Sequence, residues 1–380
     1  MNKRIFALFL ALLLSLTALV SCGGLGFSDF PYGESGTDGQ KTEPQETEPQ
    51  ETDAPQVGNG SIESSFAVHF IDVGQADAAL IRCTGKTMLI DGGNKEDSDL
   101  IYTYLKKQGI THLDYVVCTH AHEDHVGGLS GALTAVESVG HVLSPVTDYD
   151  SRAFRDFVTK TEAHGRTLEI PRAGESFLLG DATVTVLGPV KAYDETNDTS
   201  IVLRVVYGET SFLFTGDMEG PAETDLIESG ASLKSTVLKV GHHGSSTSTS
   251  YRFLREVAPS HAVISVGKDN QYDHPNEEVL SRLRDAEVKL YRTDLQGDVI
   301  CVSDGKNVSF TTAKNSDIQT NPTENDKTPS GEMQYIGNKN SKVYHLPTCS
   351  SLPNEENRVL LSTKEEAEQE GYRACGRCHP

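Results

Sequence analysis

The 380-residue chain carries 33 lysines and arginines against 55 aspartates and glutamates, a net charge of −22. Its 37% hydrophobic content suits a soluble globular core, while its acidity disfavours tight nonspecific DNA binding, because phosphate neutralisation supplies most of that affinity. The seven cysteines form no regular disulfide framework: Cys22 is near the start, Cys83, Cys118 and Cys301 sit singly in apolar runs, and Cys349, Cys375 and Cys378 cluster near the end. That distribution favours metal binding over bridges.

Residues 1–22 read as a signal peptide. The apolar run from Ile5 to Val20 follows Lys3 and Arg4, is short for a bilayer span and ends in small residues. Leu19-Val20-Ser21-Cys22-Gly23 resembles the lipobox of bacterial lipoproteins. The resemblance implies lipidation of Cys22 and anchoring at the extracellular face of the cytoplasmic membrane; an ordinary secretory signal with an incidental cysteine is the alternative. Residues 23–64, with a near-repeat of Thr-Glu-Pro-Gln-Glu at 42–52, lack the apolar groups that would offset ordering entropy. They read as an extended acidic tether.

Residues 65–312 show short apolar runs between turn residues. Strands are predicted at Ala67–Ile71, Ala78–Arg82, Thr87–Ile90, Tyr115–Thr119, Ala182–Leu187, Ile201–Tyr207, Ser211–Thr215, Thr236–Val240, Ala262–Val266 and Lys289–Arg292. Helical spacing appears over Ser98–Gln108, and a second helix is expected to start at Pro275 and turn Val279, Leu280 and Leu283 inward. The mixed order predicts an α/β sandwich. Residues 313–331 read as a second linker, leaving 332–380 as a module small enough to need a metal or disulfides.

The densest chemistry lies in His120-x-His122-x-Asp124-His125, directly after a predicted strand and before Val126-Gly127-Gly128. Four potential ligands in six residues at a strand-to-helix turn cannot all reach one ion, so the spacing suits two adjacent metals. His242-His243 follows another predicted strand and precedes Gly244-Ser245. One imidazole can reach a metal while the other faces substrate; the sequence leaves open which does which. His274 precedes Pro275, where it can cap the helix.

The His-rich run resembles the signature of the metallo-β-lactamase superfamily, with the αββα sandwich that implies. Leu89-Ile90-Asp91-Gly92-Gly93 resembles its first motif, whose aspartate orients the metal loop, and Phe214-Thr215-Gly216-Asp217 resembles its fourth, whose aspartate bridges both metals. Within the superfamily the chain is similar to the extracellular domain of ComEC-type DNA-internalisation proteins, through residues 70–77, Asn197-Asp198-Thr199-Ser200, residues 238–245 and residues 270–275. Ala76 departs from a usual glycine. A larger departure follows Leu187-Gly188-Pro189: the superfamily's third histidine for the first metal is missing, and Asn197 and Asp198 stand there instead.

The resemblance implies two zinc ions, with manganese as an alternative, held by His120, His122, Asp124, His125, Asp217 and the His242-His243 pair. A hydroxide on the metals would be the nucleophile, oriented by Asp124, with Ser245 and Ser248 donating to a leaving phosphate and Lys239 as an electrostatic helper. In the tail, His345-x₃-Cys349 and Cys375-x₂-Cys378 read as a closed tetrahedral zinc site, a disulfide with one free thiol being the alternative. Residues 335–349 and 371–378 resemble the zinc module of Ada-type DNA-repair proteins, with histidine as first ligand, and Lys339, Lys342, Arg373 and Arg377 give the segment local positive charge.

Together these imply a phosphodiesterase or nuclease acting on extracellular DNA. A phosphodiesterase or esterase for phosphorylcholine or other envelope phospho-substrates is the second reading, and a non-catalytic zinc-stabilised surface binding protein the third.

Overall fold

The computed structural model describes residues 65–323, 335–347, 349–361 and 364–378. The expected signal peptide, Cys22 and the expected acidic tether lie outside them, as do residues 324–331 of the second linker. No helix among the described residues is long and apolar enough to cross a membrane.

The first half of the large domain runs β1 (Phe66–Phe70), β2 (Ala79–Cys83), β3 (Lys86–Ile90), α1 (Ser98–Lys107), β4 (His112–Val117), α2 (Glu123–Val126), α3 (Leu129–Ala135), β5 (Ser138–Leu143) and α4 (Arg152–Ala163). The chain continues through β6 (Ser176–Leu179), β7 (Ala182–Gly188), β8 (Val202–Tyr207), β9 (Thr210–Phe214), α5 (Gly220–Glu228), β10 (Val237–Lys239), α6 (Tyr251–Val257) and β11 (His261–Ile264). It closes with α7 (Glu277–Asp285), β12 (Lys289–Arg292), α8 (Thr293–Gln296), β13 (Val299–Ser303) and β14 (Val308–Thr312).

Two seven-stranded sheets result, ordered β14-β13-β1-β2-β3-β4-β5 and β12-β11-β10-β9-β8-β7-β6. Strand alternation decides which residues meet. Phe66, Val68, Phe70 and Ile81 of the first sheet pack with Val184, Leu203, Phe212 and Phe214 of the second, and burial of each stabilises the fold by roughly 1.5–3 kcal/mol. The opposite faces are apolar too: Leu80, Leu89 and Val116 pack on Ile101, Leu133 and Phe157 of the first helical layer, and Leu213, Leu238 and Ile264 on Leu226, Phe253 and Leu283 of the second. Burial on both faces explains why Met88-Leu89-Ile90 of β3 and Phe212-Leu213-Phe214 of β9 are apolar without alternation. The architecture is the expected αββα sandwich.

In the first sheet β3, β4 and β5 are parallel, as are β9 to β12 in the second, so their carboxyl ends share an edge. Loops leaving such ends are where open α/β sheets form their sites. Two glycine contacts seat these loops: a Cβ on Gly128 would fall 1.9 Å from Gly92 O, and one on Gly92 would fall 2.5 Å from Leu129 N.

Several expectations need correction. The helix expected at Pro275 begins at Glu277 with Asn276 as its N-cap residue, so Pro275 precedes the helix and His274 does not cap it. Strand β4 ends at Val117, because the Thr119 amide bonds Asp91 in place of a ladder partner. Strands β5, β6, β13 and β14 and helices α4, α5 and α6 were not anticipated; β14 and β6 are edge strands whose half-exposed residues alternate weakly.

The tail forms β15 (Tyr335–Asn338), β16 (Val343–His345), β17 (Arg358–Leu361), α9 (Lys364–Gln369) and β18 (Arg373–Ala374), with sheet order β17-β15-β16-β18. Its core is little more than Tyr335, Tyr344, Leu361, Ala367 and Tyr372, which is why further cross-linking matters there.

Gly128→Ala should lower stability by about 3 kcal/mol, since the new methyl overlaps the Gly92 carbonyl and neither backbone can yield without moving the metal loop. Denaturant titration checks this; an unchanged midpoint would contradict the close seating of the two loops.

Candidate metal centre

Asp91 follows β3 with φ of +57° and is fully engaged. It accepts from Thr119 N and Thr119 Oγ1, both at 2.7 Å, and lies 2.8 Å from His125 Nδ1. Beyond Thr119 the chain carries His120 and His122 on a loop and Asp124 and His125 on α2. Asp217 follows β9, and His242 and His243 follow β10 with φ of 50° and 52°. Consecutive non-glycine residues in the left-handed region cost about 1–3 kcal/mol each. Both imidazoles point at one atom: their Nε2 atoms lie 3.7 and 3.6 Å from Asp217 Oδ2.

Asp217 stands between two groups of ligand atoms. On one side, atoms of Asp124, His125, Asp217 and His243 all lie within 4.8 Å of one another. There His125 Nε2 is 3.2 Å from Asp217 Oδ1, and His243 Nε2 is 3.2 Å from Asp124 Oδ2. On the other side His120 Nε2 approaches His122 Nδ1 to 3.0 Å and Asp217 Oδ2 to 3.9 Å.

These residues fit a metal. His125 Nε2 and Asp217 Oδ1 are buried and face each other, yet neither has a hydrogen-bond partner. Such orphaned atoms need an explanation, and a shared cation supplies one. Electrostatics agree. Burial alone would raise Asp217, but His125 and His243 hold its carboxyl well below the usual range. Burial opposes charge on His243 and His125, yet Asp217 and its fellow carboxylates outweigh it, pushing His243 up to about 10 and His125 well above its ordinary value. His120 goes the other way, driven far down by burial and by His125. The carboxylates thus demand positive charge, which a metal provides on displacing the imidazole protons.

Residues 71–268 match the model of the metallo-β-lactamase superfamily. The chain belongs to this superfamily. ComE operon protein 3 of Bacillus subtilis (strain 168) is 29% identical over 258 residues, 63% of this chain and 33% of that one. Competence protein ComA of Neisseria gonorrhoeae is 34% identical over 237 residues, 62% and 32% of the two chains. Zinc phosphodiesterase ELAC protein 1 of Homo sapiens is 34% identical over 89 residues, 23% of this chain and 24% of that one. The chain therefore spans about a third of the length of its competence-protein relatives.

In the metallo-β-lactamase domain, the loop that lacks the third histidine has another task. Ser200 Oγ accepts from Asp217 N at 3.0 Å, Asp198 Oδ1 accepts from Glu219 N at 2.9 Å, and Asn197 Nδ2 donates to Glu219 Oε1 at 3.1 Å. Glu219 in turn lies 3.2 Å from His242 Nδ1. The loop braces the Asp217–Glu219 segment. Asn197 Oδ1 itself is buried without a partner.

Two further corrections concern side chains expected at the substrate. Lys239 is 4% exposed; its ammonium pairs with Asp77 Oδ2 at 2.8 Å and donates to Val240 O at 2.9 Å, while Asp77 Oδ1 lies 3.2 Å from His243 Nδ1. It stands behind His243, away from any leaving group. Ser248 is fully buried and donates to Met218 O, so it cannot meet a phosphate. Ser245 Oγ pairs with Thr247 Oγ1 at 2.9 Å beside His242, and the His274 ring lies 5.6 Å from that of His242. Asp77 and Glu219 were missed as functional residues. Their signal was position: Asp77 ends the block at 70–77, and Glu219 lies two residues past Asp217.

In the tail, ligand atoms of His345, Cys349, Cys375 and Cys378 lie within 4.8 Å of one another, and the three thiols are unbridged. His345 Nδ1 is buried without a partner. The Cys378 and Arg377 amides lower the Cys375 thiol to about 6, which favours the ligating thiolate. Residues 321–380 match the metal binding domain of Ada. Lys339, Lys342, Arg373 and Arg377 are exposed on this Ada-type module, Lys342 resting 4.2 Å from the centroid of Tyr372.

The two centres should be separable. Asp217→Ala should strip metal from the large domain and leave the tail loaded, and Cys375→Ser should do the reverse, because no ligand is shared. Elemental analysis of the purified variants reads this directly. Loss from both centres in either variant would contradict it.

Proposed function

We propose that the protein is a zinc-dependent phosphodiesterase acting on extracellular DNA, held at the outer face of the cytoplasmic membrane through Cys22. The observation that carries this reading is the pair of ligand groups meeting at Asp217. The competence proteins and zinc phosphodiesterase among its relatives support it.

In this reading His120, His122 and His242 would hold the first ion. Asp124, His125 and His243 would hold the second, with Asp217 within reach of either. Bound there, two divalent ions would polarise a phosphoryl oxygen and acidify water, with manganese able to replace zinc. The protein's own contribution is orientation. Asp91 lies 2.8 Å from His125 Nδ1, Ser265 O and Asp77 Oδ1 lie 3.1 and 3.2 Å from His243 Nδ1, and Thr247 Oγ1 and Glu219 Oε1 each lie 3.2 Å from His242 Nδ1, which orients the rings with Nε2 toward Asp217. The buried Lys239 keeps Asp77 ionised in this role, since burial alone would raise that carboxyl and Lys239 and His243 pull it down. Asp124, held well down at about 2, stays an acceptor that can orient an attacking water. No side chain needs to act as a covalent nucleophile. The Ada-type module serves as a tethered DNA contact through Lys339, Lys342, Arg373 and Arg377, offsetting the acidity of the remainder.

The zinc-loaded full chain should hydrolyse DNA, lose that activity on chelation and regain it with zinc or manganese. Turnover of phosphorylcholine esters with no cleavage of DNA or RNA would overturn the nucleic-acid reading while leaving the metal centre intact. Absence of hydrolysis across such a panel would favour a binding protein.

A further inference from the structure

The segment 267–276 sits against the metal centre, with Asn270 bonded to its backbone at four points. Asn270 Nδ2 donates to Gly267 O at 2.9 Å and His274 O at 2.6 Å, and its Oδ1 accepts from Tyr272 N and His274 N, both at 3.1 Å. Gln75 fastens the segment from across the site, accepting from Gly267 N at 3.1 Å and meeting His274 Nδ1 at 3.4 Å. The loop is therefore fixed before any ligand arrives.

What it fixes is an aromatic ring in water. Tyr272 is 56% exposed, with one face stacked on His274 at 5.6 Å and 28°. His274 leads 5.6 Å further to His242, whose Nε2 faces Asp217. Leaving a large ring so exposed contributes little to folding, whereas holding it rigid lowers the ordering cost of binding a second flat ring. Charge points the same way. Lys239 is committed to Asp77, and Glu219 and Asp124 line the site, so Lys239 supplies no phosphate affinity there. Stacking supplies affinity without charge and accepts any base.

We propose that Tyr272 is a platform on which a nucleobase stacks while its phosphodiester lies at the metal centre. This rests on the nuclease reading and deepens it. A duplex hides its base faces, so the platform admits unpaired nucleotides, and the substrate class is single-stranded DNA or frayed ends.

The test uses the zinc-loaded full chain, its Tyr272→Ala and Tyr272→Phe variants, a single-stranded oligodeoxynucleotide, its blunt duplex, and the same strand with abasic residues around the cleaved bond. The wild type should favour the single strand over the duplex. Tyr272→Ala should raise KM on the intact strand roughly 5- to 100-fold, with Tyr272→Phe close to wild type. Abasic residues should cost the wild type a similar factor and cost Tyr272→Ala little more, because both changes remove the same contact. Undiminished cleavage by Tyr272→Ala, additive losses, or equal damage from Tyr272→Phe would overturn the platform alone. Failure of the wild type to cleave any nucleic acid would overturn the nuclease reading and the platform with it.

Discussion

Carboxylates placed where water cannot reach them dominate this molecule. Asp77, Asp91 and Asp217 are each no more than 5% exposed, and Asp124 stands at their rim. Buried charge persists only if paired, hydrogen-bonded or bound to metal. Lys239 answers Asp77, while Thr119 and His125 answer Asp91. Asp217 has imidazoles around it and a buried oxygen with no hydrogen-bond partner, and that deficit is what a cation fills.

The fold brings these groups together from four strand ends in two sheets. Residues 91 and 119–125 come from the first sheet, and 217 and 242–243 from the second. Packing between the sheets thus sets the distance across the centre, and the left-handed turn at His242 and His243 directs two adjacent rings to the same carboxylate. The set Asp124, His125, Asp217 and His243 draws on both sheets.

Much of this was legible in the sequence because the metal loop is local. Ligand spacing over 120–125, the strand before it and the glycines after it all lie within residues 112–128. An α/β sandwich followed from the mixed order of apolar runs, and its αββα form from the motifs that resemble the metallo-β-lactamase superfamily. The division of labour between His242 and His243 was not legible, since it depends on the turn between them. Nor was the task of Lys239: a lysine at a strand end looks the same from the sequence whether it faces substrate or, as here, neutralises Asp77 behind His243. Nor was the task of Asp198 and Asn197, which stand where the superfamily's third histidine is missing, because their bonds to Glu219 are made across some twenty residues of chain.

The Ada-type module follows the same physics at smaller scale, with three thiols and an imidazole converging where the apolar core is too small to hold the fold. The account stands on cations meeting at Asp217, and anomalous scattering at the zinc edge from crystals of the zinc-loaded chain tests it most directly. Two peaks flanking the Asp217 carboxylate, one within bonding distance of His125 and His243 and one of His120 and His242, are predicted. A single peak remote from Asp217, or none in the large domain, would contradict it.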